Sequence, residues 1–180
     1  MRFLVAINGA SGVNLALKLA KVLSKENEVY LILSKGALKV LKEENNKKLK
    51  KYIKNTNITL LKNDDLAAPV SSGSFKLDAA FYYASSDFLA KASYGFSDTL
   101  ILRSFAVNLK ENRKIIIAPR EMPLNELMLK NILKLNKLGC IIAPAIYAKY
   151  SKSSFKEFVI GKWCDLLGVE YKKFKRWKSE

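Results

Sequence analysis

A buried-strand run, a tight turn of small residues and an amphipathic helix follow one another at the start of the chain, and this order restricts the fold more than any other feature. Residues 3–7 are continuously apolar and run straight into Asn8-Gly9, the pattern of a strand covered on both faces. Leu15, Leu19, Val22 and Leu23 then share one helical side, while Asn14, Lys18 and Lys21 fall on the other. Residues 29–33 read as the second strand. A βαβ opening predicts an α/β fold with an open, mostly parallel sheet and helices on both faces, a three-layer arrangement of the Rossmann or flavodoxin kind. Ligands of such folds sit at the carboxyl ends of the strands.

The rest of the chain keeps the alternation. A helix is predicted over 37–44, then a lysine- and asparagine-rich excursion over 43–57 with almost no apolar periodicity, expected to be solvated and mobile. Strands are predicted over 58–61, 79–83, 114–118 and 140–143. Helices are predicted over 87–92, from a cap at Ser97 to 108 or 110, along the stripe Leu124 to Leu135, and along the stripe Phe155 to Leu166. With 180 residues and 49% hydrophobic content, residues 1–180 are expected to form a single domain.

Composition removes several chemistries. The chain has no histidine, which excludes a Ser-His-Asp triad, a Cys-His pair and an imidazole metal site, and leaves acid–base work to Glu, Asp, Lys, Tyr or Ser. No metal is expected. Cys140 and Cys164 stand in apolar surroundings without metal-ligand spacing, so they read as buried thiols of a reducing compartment, the cytoplasm. No segment resembles a membrane span or a signal peptide. The formal charge of +16 raises nucleic acid as a partner, but much of it lies in residues 47–54, in the 172–178 tail and on the polar sides of helices. Solvated helix faces explain that distribution better.

Candidate chemistry gathers in the loops after the strands. Asn8-Gly9-Ala10-Ser11-Gly12 can offer backbone N–H groups and a hydroxyl to a phosphate at a helix N-terminus, and equally satisfies the packing of a strand-to-helix turn. Ser34, after strand two, is on the same rim or is a simple helix cap. Ser72-Gly73-Ser74-Phe75 can wrap a ring edge or form an ordinary turn. Arg103 and Lys110 fall along one side of a predicted helix, and Lys162 falls on the apolar stripe of the last one, where it must reach the edge or meet an anion. Pro119-Arg120-Glu121-Met122-Pro123 holds an adjacent cation and carboxylate directly after a buried strand. Arg120 suits phosphate or ring carbonyls and Glu121 suits proton transfer. Tyr150 adds a phenol after the last strand.

In their order these strings resemble the UbiX flavin prenyltransferases, homo-oligomeric flavoproteins whose wider group includes cysteine decarboxylases. Gly9-Ala10-Ser11-Gly12, Ser34-Lys35, Ser72 to Phe75, Arg103 with Lys110, the 119–123 string and Arg176-Trp177 carry the resemblance. It implies transfer of a dimethylallyl group from dimethylallyl phosphate to N5 and C6 of reduced FMN, without a metal, to make prenylated FMN for a UbiD-type decarboxylase. By matching position it implies that Gly9, Ala10, Ser11, Ser34, Ser85, Ser86, Asp87, Phe88 and Arg120 hold FMN. Arg103, Lys110, Tyr150 and Lys162 would surround the prenyl phosphate, with Glu121 the proton carrier and Ser11 a relay. It also implies a large homo-oligomer such as a dodecamer, with sites at subunit contacts.

The chain departs from that pattern. Tyr83-Ala84-Ser85-Ser86-Asp87 stands where the family reads Pro-Cys-Ser-Met-Lys, Asn8 stands for serine, the loop after Tyr150 is shorter, and Lys162 takes the place of an arginine, keeping its charge without its fork. The other readings are an FMN-dependent decarboxylase of the same superfamily, whose usual histidine is missing here, and a non-catalytic flavin-binding subunit.

Overall fold

A computed structural model describes residues 1–9, 11–45 and 49–177. Six strands, β1 (Arg2–Ile7), β2 (Glu28–Leu33), β3 (Ile58–Lys62), β4 (Ala79–Ala84), β5 (Lys114–Pro119) and β6 (Ile141–Ile142), form one sheet in the order β3-β2-β1-β4-β5-β6. Every neighbouring pair is parallel. This is the doubly wound Rossmann order, which reverses direction between β1 and β4 and so opens a crevice above their carboxyl ends.

The helices are α1 (Val13–Leu23), α2 (Lys35–Asn45), α3 (Lys50–Ile53), α4 (Ser86–Ser93), α5 (Leu100–Lys110), α6 (Glu126–Lys137) and α7 (Phe155–Leu167). Alternate side chains of the apolar strands feed two cores. Phe3, Val5, Ile7, Phe81 and Tyr83 pack beneath α1, α2 and α7. Leu4, Ala6, Tyr82 and Ala84 pack beneath α4 and α5. Trp163 of α7 is buried and donates its Nε1–H to the Ala143 carbonyl at 2.9 Å, which ties that helix to the loop after β6.

Two details differ from the sequence expectations. The cap of α5 is Thr99 rather than Ser97: the Thr99 hydroxyl accepts the Leu102 N–H at 3.4 Å. The lysine-rich excursion contains the short α3, and Leu49, Tyr52 and Ile53 pack against the core of the α1 layer, so a few apolar residues anchor it. Lys162 shares the side of α7 that carries Phe158 and Leu166, as its spacing implies, and is exposed at the edge of that side. The segment after that helix folds back across Gly161, where a side chain would run into the Phe174 ring.

Candidate functional site

The crevice at the strand reversal is a cavity of about 880 Å³, lined by Asn8 and Gly9 after β1, Ser34 and Lys35 after β2, Asn63 and Asp64 after β3, and Ser85 and Asp87 after β4. The size suits a cofactor rather than a single anion. Gly9 comes so close to the start of α2 that a Cβ there would stand 3.0 Å from the Gly36 backbone, which explains glycine at that position. Nδ2 of Asn8 is buried and has no hydrogen-bond partner. An orphaned donor at the wall of a crevice is the mark expected of a site that binds a polar ligand.

The loop after β1 is held from several directions. Its first amide, Asn8 N–H, donates to the Tyr83 carbonyl at 2.9 Å. The Tyr83 hydroxyl donates to the Ser11 carbonyl at 2.9 Å. Gly12, left-handed at φ 81°, opens α1, and its N–H donates to the Glu44 carboxylate, 3.0 Å from Oε2. Ala10 lies outside the described residues, as do Lys47 and Lys48 of the basic excursion and Lys178 of the tail. Burial pushes the Tyr83 phenol up to about 12, against a smaller opposing effect of the neighbouring Arg120, so it remains a donor at neutral pH.

Ser34 is a cap: its hydroxyl oxygen accepts the Ala37 N–H at 3.0 Å, which leaves its own proton to offer the cavity. Ser85 likewise accepts the Phe88 N–H at 3.4 Å and still lines the crevice. Asp87, the anion where the resemblance has a cation, pairs with Lys91 at 3.2 Å, so its charge is partly compensated within α4. Phe88 corrects the expectation in part. Its side chain is fully buried against Tyr82 and Phe105, with ring centroids 5.3 and 5.7 Å away, and only its backbone can face a ligand.

Arg120 is fixed beside the end of β4 by its N–H to the Ala84 carbonyl at 3.0 Å. Glu121 follows, and its Oε1 accepts the Ser86 N–H at 3.4 Å. The pair after β5 therefore adjoins the start of α4.

The four groups assigned to a prenyl phosphate are divided. Arg103 and Lys110 line a groove of about 490 Å³ between α5 and residues 71–73. Lys110 pairs with Glu111 at 3.2 Å, and Arg113 donates to the Gly73 carbonyl at 2.6 Å, so the Ser72-Gly73-Ser74 turn is clamped to the end of α5. Phe75 turns away and meets the Tyr30 ring edge-on, with centroids 5.1 Å apart. Tyr150 and Lys162 lie in the opposite layer. Lys162 lines an apolar cavity of about 360 Å³ with Ile142, Pro144, Phe158 and Trp163, and the Tyr150 ring stands against Phe158 and Trp177 at 5.8 and 5.3 Å.

Sequence reasoning missed the hold of Tyr83 on the loop after β1, because it reads as one more apolar member of β4. Glu44 was hidden for a similar reason: on a solvated helix end, nothing local signals its contact with Gly12. No group of His, Cys, Asp or Glu able to hold a metal occurs among the described residues. No helix among them is long and apolar enough to cross a membrane.

Comparison with known proteins adds three findings. Residues 1–160 match the Flavoprotein family. The chain is 42% identical to the flavin prenyltransferase UbiX of Helicobacter pylori over 98% of both chains. Among solved structures it is similar to AnUbiX in complex with FMN and dimethylallyl pyrophosphate, with a TM-score of 0.93 and 33% identity over 99% of this chain and 98% of that one. A dodecameric FMN-dependent UbiX-like decarboxylase from Escherichia coli O157:H7 also has a TM-score of 0.93, at 30% identity over 99% and 100% of the two chains.

Proposed function

We propose that the chain, which belongs to the Flavoprotein family and within it to the UbiX flavin prenyltransferases, transfers a dimethylallyl group from dimethylallyl phosphate to reduced FMN. The observation that carries this reading is the crevice at the β1–β4 reversal, whose walls combine small backbone-exposing residues, hydroxyls and the unpartnered Asn8 amide. Those residues fit FMN. Gly9, Ala10 and Ser11 with Ser34 and Arg120 would hold it, helped by Ser85, Ser86, Asp87 and the Phe88 backbone. Reduced FMN, when bound, supplies the nucleophilic ring positions N5 and C6 that accept the prenyl carbons.

The chain's own part is electrostatic and steric. The donor's allylic C–O bond breaks with its electron pair leaving on phosphate, and preorganised cations stabilise that charge better than water does. Arg103 and Lys110 on one layer, and Tyr150 and Lys162 on the other, are too far apart in the fold to meet around one phosphate within a single copy. This separation supports a site shared between copies of the chain. The E. coli relative is dodecameric, and exposed Leu127, Leu129 and Leu133 on α6 are consistent with a homo-oligomer, a dodecamer by analogy. The apolar cavity beside Lys162 would shield the prenyl chain from water. Glu121 accepts the proton released on ring closure, with Ser11 as relay.

On this reading residues 1–180 work as a single flavoprotein domain whose product serves a UbiD-type decarboxylase. The free, buried Cys140 and Cys164 suit the cytoplasm. Mass spectrometry of the flavin released after anaerobic incubation with reduced FMN and dimethylallyl phosphate tests it. A gain of one prenyl unit is expected, and unmodified FMN after incubation with both the monophosphate and the pyrophosphate would sink the proposal.

A further inference from the structure

We infer that Tyr83 is a positioning residue of the cofactor site, fastening the loop after β1; this rests on the FMN reading above. Tyr83 is the last residue but one of β4, paired with Ile7 on one side and Ala118 on the other, so it stands at the reversal of the sheet. Its carbonyl receives the Asn8 N–H and its hydroxyl reaches the Ser11 carbonyl, both at 2.9 Å. One residue thus holds both ends of the turn that begins at Asn8. The carbonyl contact is available to any residue, whereas the hydroxyl contact needs tyrosine. The ring is 1% exposed and meets Trp163 edge-on at 6.2 Å, so the hydroxyl has little freedom to leave.

One further contact ties the phenol to the loop rather than to packing alone. The space over Gly12 is open enough for the hydroxyl only because residue 12 lacks a side chain: a Cβ there would stand 2.9 Å from the phenol oxygen. The positive charge of Arg120 is near enough to oppose the rise that burial imposes on the phenol. The phenol donates to Ser11, so the end of β4 holds the loop after β1 beside the crevice. Without the hydroxyl, the Ser11 carbonyl loses its donor.

The test uses the full chain with free FMN as the probe, titrated by flavin fluorescence. Y83F keeps the ring against Trp163 and removes only the oxygen. It is expected to weaken FMN binding about tenfold. Turnover of Y83F at saturating FMN stays within about threefold of wild type, as expected of a group that prepares the site without touching the reacting atoms. Unchanged FMN affinity in Y83F overturns the inference. Site-specific 3-fluorotyrosine at position 83 probes the same contact without removing it: its fluorine resonance should move when FMN is added. A resonance blind to FMN overturns the inference even if Y83F does not fold. Failure of the wild-type chain to bind FMN is a separate outcome, which removes the functional reading and this inference with it.

Discussion

The Glu121 carboxylate accepts the Ser86 N–H at 3.4 Å, so the residue proposed to carry a proton also caps the first turn of α4. The free N–H groups of a helix start need such a partner. The same contact brings the loop after β5 against the segment assigned to the flavin, and a substitution at 121 has to be judged on both counts.

Glu121→Gln separates them. The glutamine carbonyl can still accept from Ser86, so α4 stays capped and FMN affinity should remain within about twofold, while the group that takes up the proton is gone. Product maturation should slow about 100-fold or more, followed as the prenylated mass against time. Full activity in folded, FMN-loaded E121Q would remove Glu121 from the proton path.

Sharing of the phosphate groups between copies predicts complementation. R103A and Y150F should each be strongly impaired, since each removes a phosphate contact. When the two are co-expressed, some sites in a mixed oligomer receive an intact Tyr150 from one copy and an intact Arg103 from another. Activity above that of either variant alone is therefore expected. If both residues came from one copy, every mixed site would keep a defect, and co-expression would recover nothing.

The sheet was legible because its strands are buried on both faces: residues 3–7, 29–33 and 79–83 are apolar runs that coincide closely with β1, β2 and β4. The loops at their carboxyl ends followed from topology, which is why Gly9, Ser34 and Ser85 could be placed on one rim. Contacts between distant segments were out of reach. Gly161 shows this well, since nothing nearby in the sequence signals that Phe174 returns to pack where its side chain would stand. The division of Arg103 and Lys110 from Tyr150 and Lys162 is also invisible along the chain, because nothing local says which side of the sheet a helix will cover. Thr99 rather than Ser97 caps α5 because both are good caps, and Asn63 settles the choice: its carbonyl receives the Leu100 N–H at 2.8 Å, and its side chain receives the Ile101 N–H at 3.0 Å.

Alkaline pH should weaken the fold through Tyr83. Burial pushes its phenol from an ordinary value near 10 up to about 12. The unfolded chain therefore loses this proton first as pH rises. The native state's advantage is intact below about pH 10 and falls as pH passes through about 12, a loss on the order of 2 to 3 kcal/mol for this group. Burial raises the Cys140 and Cys164 thiols to about 11 and about 12, and these act in the same direction. Urea unfolding of wild type and Y83F across this range isolates the tyrosine: the wild-type curve should fall more steeply above about pH 10, and parallel curves would contradict the assignment.

Glu44 offers a prediction in the opposite direction, a gain of binding on losing a residue. Its carboxylate receives the Gly12 N–H at the start of α1, where the helix dipole favours negative charge. A phosphate approaching the 8–12 loop meets an anion already seated there, and the two repel across a short distance. Glu44→Gln keeps an acceptor for Gly12 while removing the charge. FMN should bind severalfold more tightly, with the difference shrinking as salt is raised from about 0.01 M to 1 M and screening shortens the reach of the carboxylate. The cost to the apo fold should be no more than about 1 kcal/mol, because the site is exposed. Isothermal titration of FMN into wild type and E44Q at low and high ionic strength checks both parts. Equal affinities at low salt would mean that the phosphate sits away from Gly12 and that Glu44 serves only as a helix cap.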